Sequence, residues 1–170
     1  MSNFTTTLRI IDGYHAPDEG YTKLLKYLGK YDDDRPDNEE LSLETIYEAT
    51  GVKFTLFALR CVYESKEVEY ARIRLYNVLM HAGLRLLKEL VEEGDYQNFK
   101  VGYLLHTIAF AHREALESVE GNSLYSLPYW LERLFVECLG VDEESPEVAR
   151  LNEVLESTFD TELRQLIAAE

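Results

Sequence analysis

The chain has 170 residues, enough for a single domain that buries a sizeable core without metals or disulfides. Seventeen basic against thirty-two acidic residues leave a net charge of −15, a field that repels nucleic-acid phosphates and anionic lipid headgroups and attracts basic surfaces. Direct nucleic-acid binding is thereby disfavoured. No stretch approaches the roughly 18 unbroken apolar residues of a membrane span, and residues 1–7 lack the basic and apolar regions of a signal peptide. The expectation is no membrane and a cytoplasmic address, of a bacterial host or of a phage-infected cell.

Taken in order, the predicted elements are consecutive helices after one short strand. Residues 4–11, rich in Thr and Ile and closed by Asp12-Gly13, read as a strand. Residues 18–31 read as a first helix, with Asp18 and Glu19 at its start and Tyr21, Leu24, Leu25 and Leu28 on one face. Residues 32–40 form an acidic, solvated loop. Ser42 is placed to cap a short helix that Gly51 closes, and a further helix covers residues 53–63.

The longest predicted helix covers residues 67–93, where Ile73, Tyr76, Leu79, Gly83, Leu86 and Leu90 alternate steps of three and four. Residues 98–120 follow a short turn at Gly94-Asp95, and their run at 101–111 has no charged side chain, so this helix is expected to be apolar around most of its circumference. Together, residues 67–120 form an antiparallel helical hairpin at the centre of the fold. Ser126 and Pro128 start a helix that Gly140 closes. Ser145-Pro146-Glu147 opens an acidic C-terminal helix over residues 145–168, with proline at its first position. The fold class is therefore all-α: a compact single-domain bundle of six to seven helices over residues 1–170, with one short N-terminal strand.

The excess charge is unevenly placed. Residues 31–50 carry eight acids against Arg35, and residues 141–170 carry nine against Arg150 and Arg164, a net of −7 in each block. Between them, residues 64–100 balance seven acids with six bases. If the fold joins the blocks, Asp32, Asp33, Asp34, Asp37, Glu39 and Glu40 meet a helical row drawn by Glu143, Glu147, Glu153, Glu156 and Asp160, interrupted by Arg150. The bland reading is a solvated surface that keeps the chain monomeric. The sharper one is a recognition surface for a basic partner, a nucleic-acid-binding protein or a toxin, in which the acids stand in for phosphates.

Interface anchors are sought among twelve tyrosines, of which Tyr125 and Tyr129 beside Trp130 are the candidates. Cys61 and Cys138 fall in apolar helical stretches and read as buried free thiols.

Catalytic signatures are thin. The sequence contains no His-Glu-x-x-His, Cys-x-x-Cys, Gly-x-Ser-x-Gly or Gly-rich phosphate loop, and no paired Glu-x-x-His motifs of a dinuclear helical bundle. The alternative to a binding protein is a metal- or small-molecule-binding helical enzyme, with His81, His106 and Tyr103 lining a pocket between the hairpin helices. His106 lies on the line Phe99, Tyr103, His106, Phe110, which is more simply a core stripe; His112 is six residues away and off that face. No catalytic residue, metal or cofactor is expected. A homodimer that covers the apolar central helix is a third expectation.

The stretch 44–84, with Ala49-Thr50-Gly51, Phe57-Ala58-Leu59-Arg60-Cys61 and Ala71-Arg72-Ile73-Arg74-Leu75, resembles a helical segment of uncharacterised bacterial proteins described as immunity proteins. It covers about a quarter of the chain, and its motifs are apolar helix patterns. In size and acidity the chain is similar to the small inhibitors that phages use against host defence enzymes. The resemblance implies a non-enzymatic inhibitor, of immunity or anti-defence type, acting on a basic partner.

Overall fold

Three threonines open the chain as described by a computed structural model, which covers residues 4–31, 36–63, 65–94 and 122–168. Strand β1 (Thr5–Thr7) pairs antiparallel with β2 (Glu40–Ser42), Thr6 facing Leu41 across the ladder. Thr6 is fully buried and its hydroxyl donates to the Cys61 carbonyl at 2.5 Å, which ties this small sheet to the helices. The strand expected over residues 4–11 stops at Thr7. There the hydroxyl accepts the Ile10 N–H at 3.2 Å and caps helix α1 (Leu8–Gly13), whose Leu8 and Ile11, three apart, turn inward. The partner strand, β2, occupies the end of what sequence assigns to the acidic loop.

Helix α2 (Asp18–Tyr27) is shorter than expected. Gly29 adopts φ +68, the Lys30 N–H reaches the Leu25 carbonyl at 2.9 Å and the Gly29 N–H the Lys26 carbonyl at 3.1 Å. This paired pattern is a Schellman stop, which needs a left-handed residue that glycine supplies without strain. Its inward face is as expected: Leu24 is buried and Tyr21, Leu25 and Leu28 pack against the core.

Ser42 caps α3 (Leu43–Thr50) by accepting the Thr45 N–H at 3.1 Å, and Gly51 closes it. Helix α4 (Val52–Ala58) runs into a 3-10 turn over Leu59–Cys61 rather than continuing to residue 63. Phe54, Thr55, Leu56, Phe57 and Ala58 are all buried, so after the exposed Lys53 at its start α4 is enclosed on every side by the bundle. The helix expected in that role, over 98–120, lies outside the described residues, as does the second half of the expected hairpin.

Helix α5 (Lys66–Glu93) is the long strut, started by Ser65, which accepts the Val68 N–H at 3.2 Å. Tyr76, Leu79, Gly83, Leu86 and Leu90 are buried as expected, but Ile73 is 56% exposed. Near its start α5 is covered by the 3-10 turn, where the buried Arg72 donates to the Leu59 carbonyl through Nε at 3.2 Å and Nη2 at 2.6 Å. Ile73, the next residue round the helix, is turned away from that cover.

Helix α6 (Asn122–Leu139) begins earlier than Ser126 and carries Pro128 inside it. A proline there leaves the Leu124 carbonyl without its helical donor. Gly140, at φ +67, closes α6 with its N–H on the Val136 carbonyl at 2.9 Å. Ser145 then caps α7 (Pro146–Ala168), accepting the Val148 N–H at 3.3 Å. Seven α-helices are thus present among the described residues.

Helix α7 runs antiparallel to α5. At one end Arg150 approaches Glu89 and Glu93 at 3.8 and 3.7 Å; at the other Arg74 donates to Glu162 at 2.6 Å and to Gln165 at 2.7 Å. At Gly83 α6 packs closely on α5, since a Cβ there would lie 2.9 Å from a Leu131 methyl. One apolar cluster runs through all these elements, with Leu75, Leu79, Phe135 and Phe159 fully buried.

Candidate functional site: an acidic pole and a side cleft

The two acidic blocks have different fates. Of the first, Asp32, Asp33 and Asp34 lie outside the described residues. Asp37 and Glu39 share one ammonium: Lys30 Nζ donates to Asp37 Oδ2 and to Glu39 Oε2, each at 2.5 Å. The hydrogen bond donated by Lys30 holds the Asp37 carboxyl below its ordinary value, and donation to Asp37 first and to Glu39 second pushes Lys30 up. Glu40, in β2, accepts the Thr5 hydroxyl at 2.7 Å. Each of these three acids therefore has a partner within the chain, and Asp37 and Glu39 fasten the turn that follows α2.

The row expected on the last helix is also broken up. Glu147 and Glu156 are nine residues apart, which is about half a turn round the axis at roughly 100° per residue, so they do not share a face. Glu153, Glu156 and Asp160 do. Asp160 accepts the Arg164 Nε at 2.9 Å, and Arg150 is turned to α5. Among the described residues, Glu143, Glu153 and Glu156 have no cation within ion-pair distance.

What the fold adds is a convergence that the charge tally passes over. The antiparallel packing sets the end of α5 beside the start of α7, so exposed Glu89, Glu92 and Glu93 stand at the same end of the bundle as Asp142, Glu143, Glu144 and Glu147. The last turn of α5 contains no base, although the helix dipole favours cations there. Arg150, from the neighbouring helix, and Lys88, at 3.7 Å from Glu92, offset part of that charge. Sequence reasoning missed Glu89, Glu92 and Glu93 because they sit in a segment whose total charge is near zero. The signal that could have found them is acids at a helix C-terminus, the end that repels them.

The later part of the first block does reach α7. The Tyr47 ring packs on Phe159 at 5.2 Å between centroids, and its hydroxyl is pushed up by burial first and by Asp160 and Glu156 next. Asp160 raises Arg164 most, and Glu44 adds to it.

Beside that junction lies a cleft of about 410 Å3 between α2, the α3–α4 turn, α6 and α7. Phe54 and Tyr125 give it aromatic surface, and Asn152 and Glu156 enter from α7. Tyr125 is half-buried, its ring edge-on to Phe57 at 5.6 Å. Gly20 lets α2 approach this closely, because a Cβ there would fall 2.1 Å from the Phe54 ring. Tyr129, the other anchor candidate, is exposed and edge-on to Trp130 at 5.9 Å. It takes no part in the cleft.

His81 is exposed on α5. His106, His112 and Tyr103 lie outside the described residues. Among the described residues no three His, Cys, Asp or Glu side chains converge as metal ligands would, and no helix is long and apolar enough to cross a membrane. Both cysteines are free and buried, and burial pushes the Cys61 thiol up to about 12, far from the thiolate that nucleophilic chemistry needs.

Fold and surface define an all-α protein with an anionic pole at one end of a helical bundle and an aromatic cleft on its flank. Comparison of the chain with protein-family models, with curated proteins and with solved structures returned no match.

Proposed function

We propose that the chain is a non-enzymatic, acidic protein-binding inhibitor, of immunity or anti-defence type, that engages a basic partner through the pole at the end of α5 and the start of α7. The single observation that carries this reading is the gathering of Glu89, Glu92, Glu93, Asp142, Glu143, Glu144 and Glu147 at one end of a rigid scaffold. Asp142, Glu143 and Glu144 are exposed to solvent, where their charge steers and orients an oppositely charged surface. The acids form a patch and not an evenly spaced row, so imitation of a phosphate backbone is the less specific form of the idea: Arg150 and Arg164 interrupt the face on which α7 would carry it.

The test is capture from the native host's proteins on the immobilised chain, eluted in rising salt, beside a variant carrying Asp142→Asn, Glu143→Gln, Glu144→Gln and Glu147→Gln. The expected outcome is a discrete basic protein that the parent retains at low salt, releases as the Debye length shrinks from about 10 Å at 0.1 M to about 3 Å at 1 M, and that the variant fails to retain. Equal retention by both proteins, or retention indifferent to salt, would rule out the electrostatic mechanism.

A further inference from the structure

We propose that the cleft between α2, the α3–α4 turn, α6 and α7 is an anchor pocket for one arginine side chain of the basic partner, a proposal that rests on the reading of the chain as a binder of such a partner. Its volume of about 410 Å3 lies within the roughly 300–1,000 Å3 of pockets that enclose small groups. The lining divides by chemistry. Tyr125, half-buried, presents aromatic surface, on which a planar, weakly hydrated guanidinium stacks well, and Phe54, 4% exposed, backs the cleft from the core. Asn152 and Glu156, one turn apart on α7, offer an amide oxygen and a carboxylate to the guanidinium donors, and charge-assisted bonds of this kind are the strong ones.

The two cations at the rim do not compete for that carboxylate. Lys23 is paired with Glu19 at 2.7 Å and Lys53 with Glu132 at 3.6 Å, while among the described residues Glu156 has no cation within ion-pair distance. The unmatched charge in the cleft is therefore negative, and the occupant that balances it is a cation with flat apolar faces. The position suits a secondary anchor. Along α7 the cleft lies roughly 14 Å from Glu147, at 1.5 Å rise per residue, and about half a turn round the helix from it, so a partner that engages both wraps round the start of α7. Asp160 and Glu44 continue the negative surface on the cleft's other side, around Arg164.

A fluorescently labelled hexa-arginine peptide serves as the probe, with affinity read by anisotropy at low salt and the site read from backbone amide shifts. Glu156→Gln and Asn152→Ala change exposed side chains, and Glu69→Gln on α5 is the charge-matched control. The expected result is about a tenfold loss for Glu156→Gln and a smaller loss for Asn152→Ala, under twofold for Glu69→Gln, with peptide-induced shifts at Gly20, Gly51, Tyr125 and Asn152. Equal small losses for all three variants, with shifts only at the pole, would overturn the anchor and leave the basic-partner reading standing. Shifts at the cleft amides with inorganic phosphate and not with the peptide would assign the cleft to anions and overturn the anchor as well. No binding of the peptide anywhere would overturn both.

Discussion

At Lys30 one ammonium is shared between Asp37 and Glu39, so two of the sequence's most conspicuous acids fasten a turn. The Schellman stop at Gly29 sends Lys30 back toward the chain that enters β2. Asp37 has its folded carboxyl lowered beneath the ordinary 3.8, so its contribution is complete above the unfolded value and is lost as pH falls through the lowered one. Lys30 is raised above the ordinary 10.5, so its contribution is complete below that value and is lost as pH rises through the raised one. Carboxyl NMR titration checks this: Lys30→Met should return the Asp37 midpoint toward 3.8, whereas an unchanged midpoint would mean that the ammonium does not hold it. Both acids were legible as charges, but not their partner. Lys30 is seven residues from Asp37, and only the geometry of the intervening turn brings it back. The cleft was legible in two of its residues, Tyr125 and Glu156, and hidden as a place, because its walls come from four elements far apart in the chain.

Among the elements, serine caps do much to set where helices begin. Ser42, Ser65 and Ser145 each accept the N–H three residues on, at 3.1, 3.2 and 3.3 Å. Ser145 matters most for the pole, since it starts the helix that carries Glu147 and Arg150. Ser145→Ala should cost about 1 kcal/mol, read as a lower urea midpoint with unchanged slope and faster amide exchange at residues 147–149. An unaltered midpoint would show that Pro146 alone defines the start. Ser42, Gly51, Gly140 and Ser145 were readable because caps and left-handed closures are local. Misplaced boundaries arose where one residue serves two elements or where packing overrides local preference. Thr7 ends a strand and caps a helix, Pro128 sits within α6, and Ile73 is apolar yet exposed because its side of α5 is not the one covered.

For the molecule as a whole, apolar periodicity and caps established the all-α class and composition the sign of the field, but neither told where that field is strongest. Its concentration depends on the antiparallel register of α5 and α7, which the pairs Arg150 with Glu93 and Arg74 with Glu162 mark at either end. The most direct test of that claim is a residue-by-residue map of surface potential: paramagnetic relaxation of backbone amides by a cationic nitroxide, divided by that from a neutral one of the same size. The ratio is expected to be highest at the exposed amides of residues 89–94 and 141–147, and clearly lower around residues 22–30, where Lys23, Lys26 and Lys30 lie. A ratio that is uniform over the surface, or highest beside Asp37 and Glu39, would contradict the acidic pole and with it the binding surface proposed here.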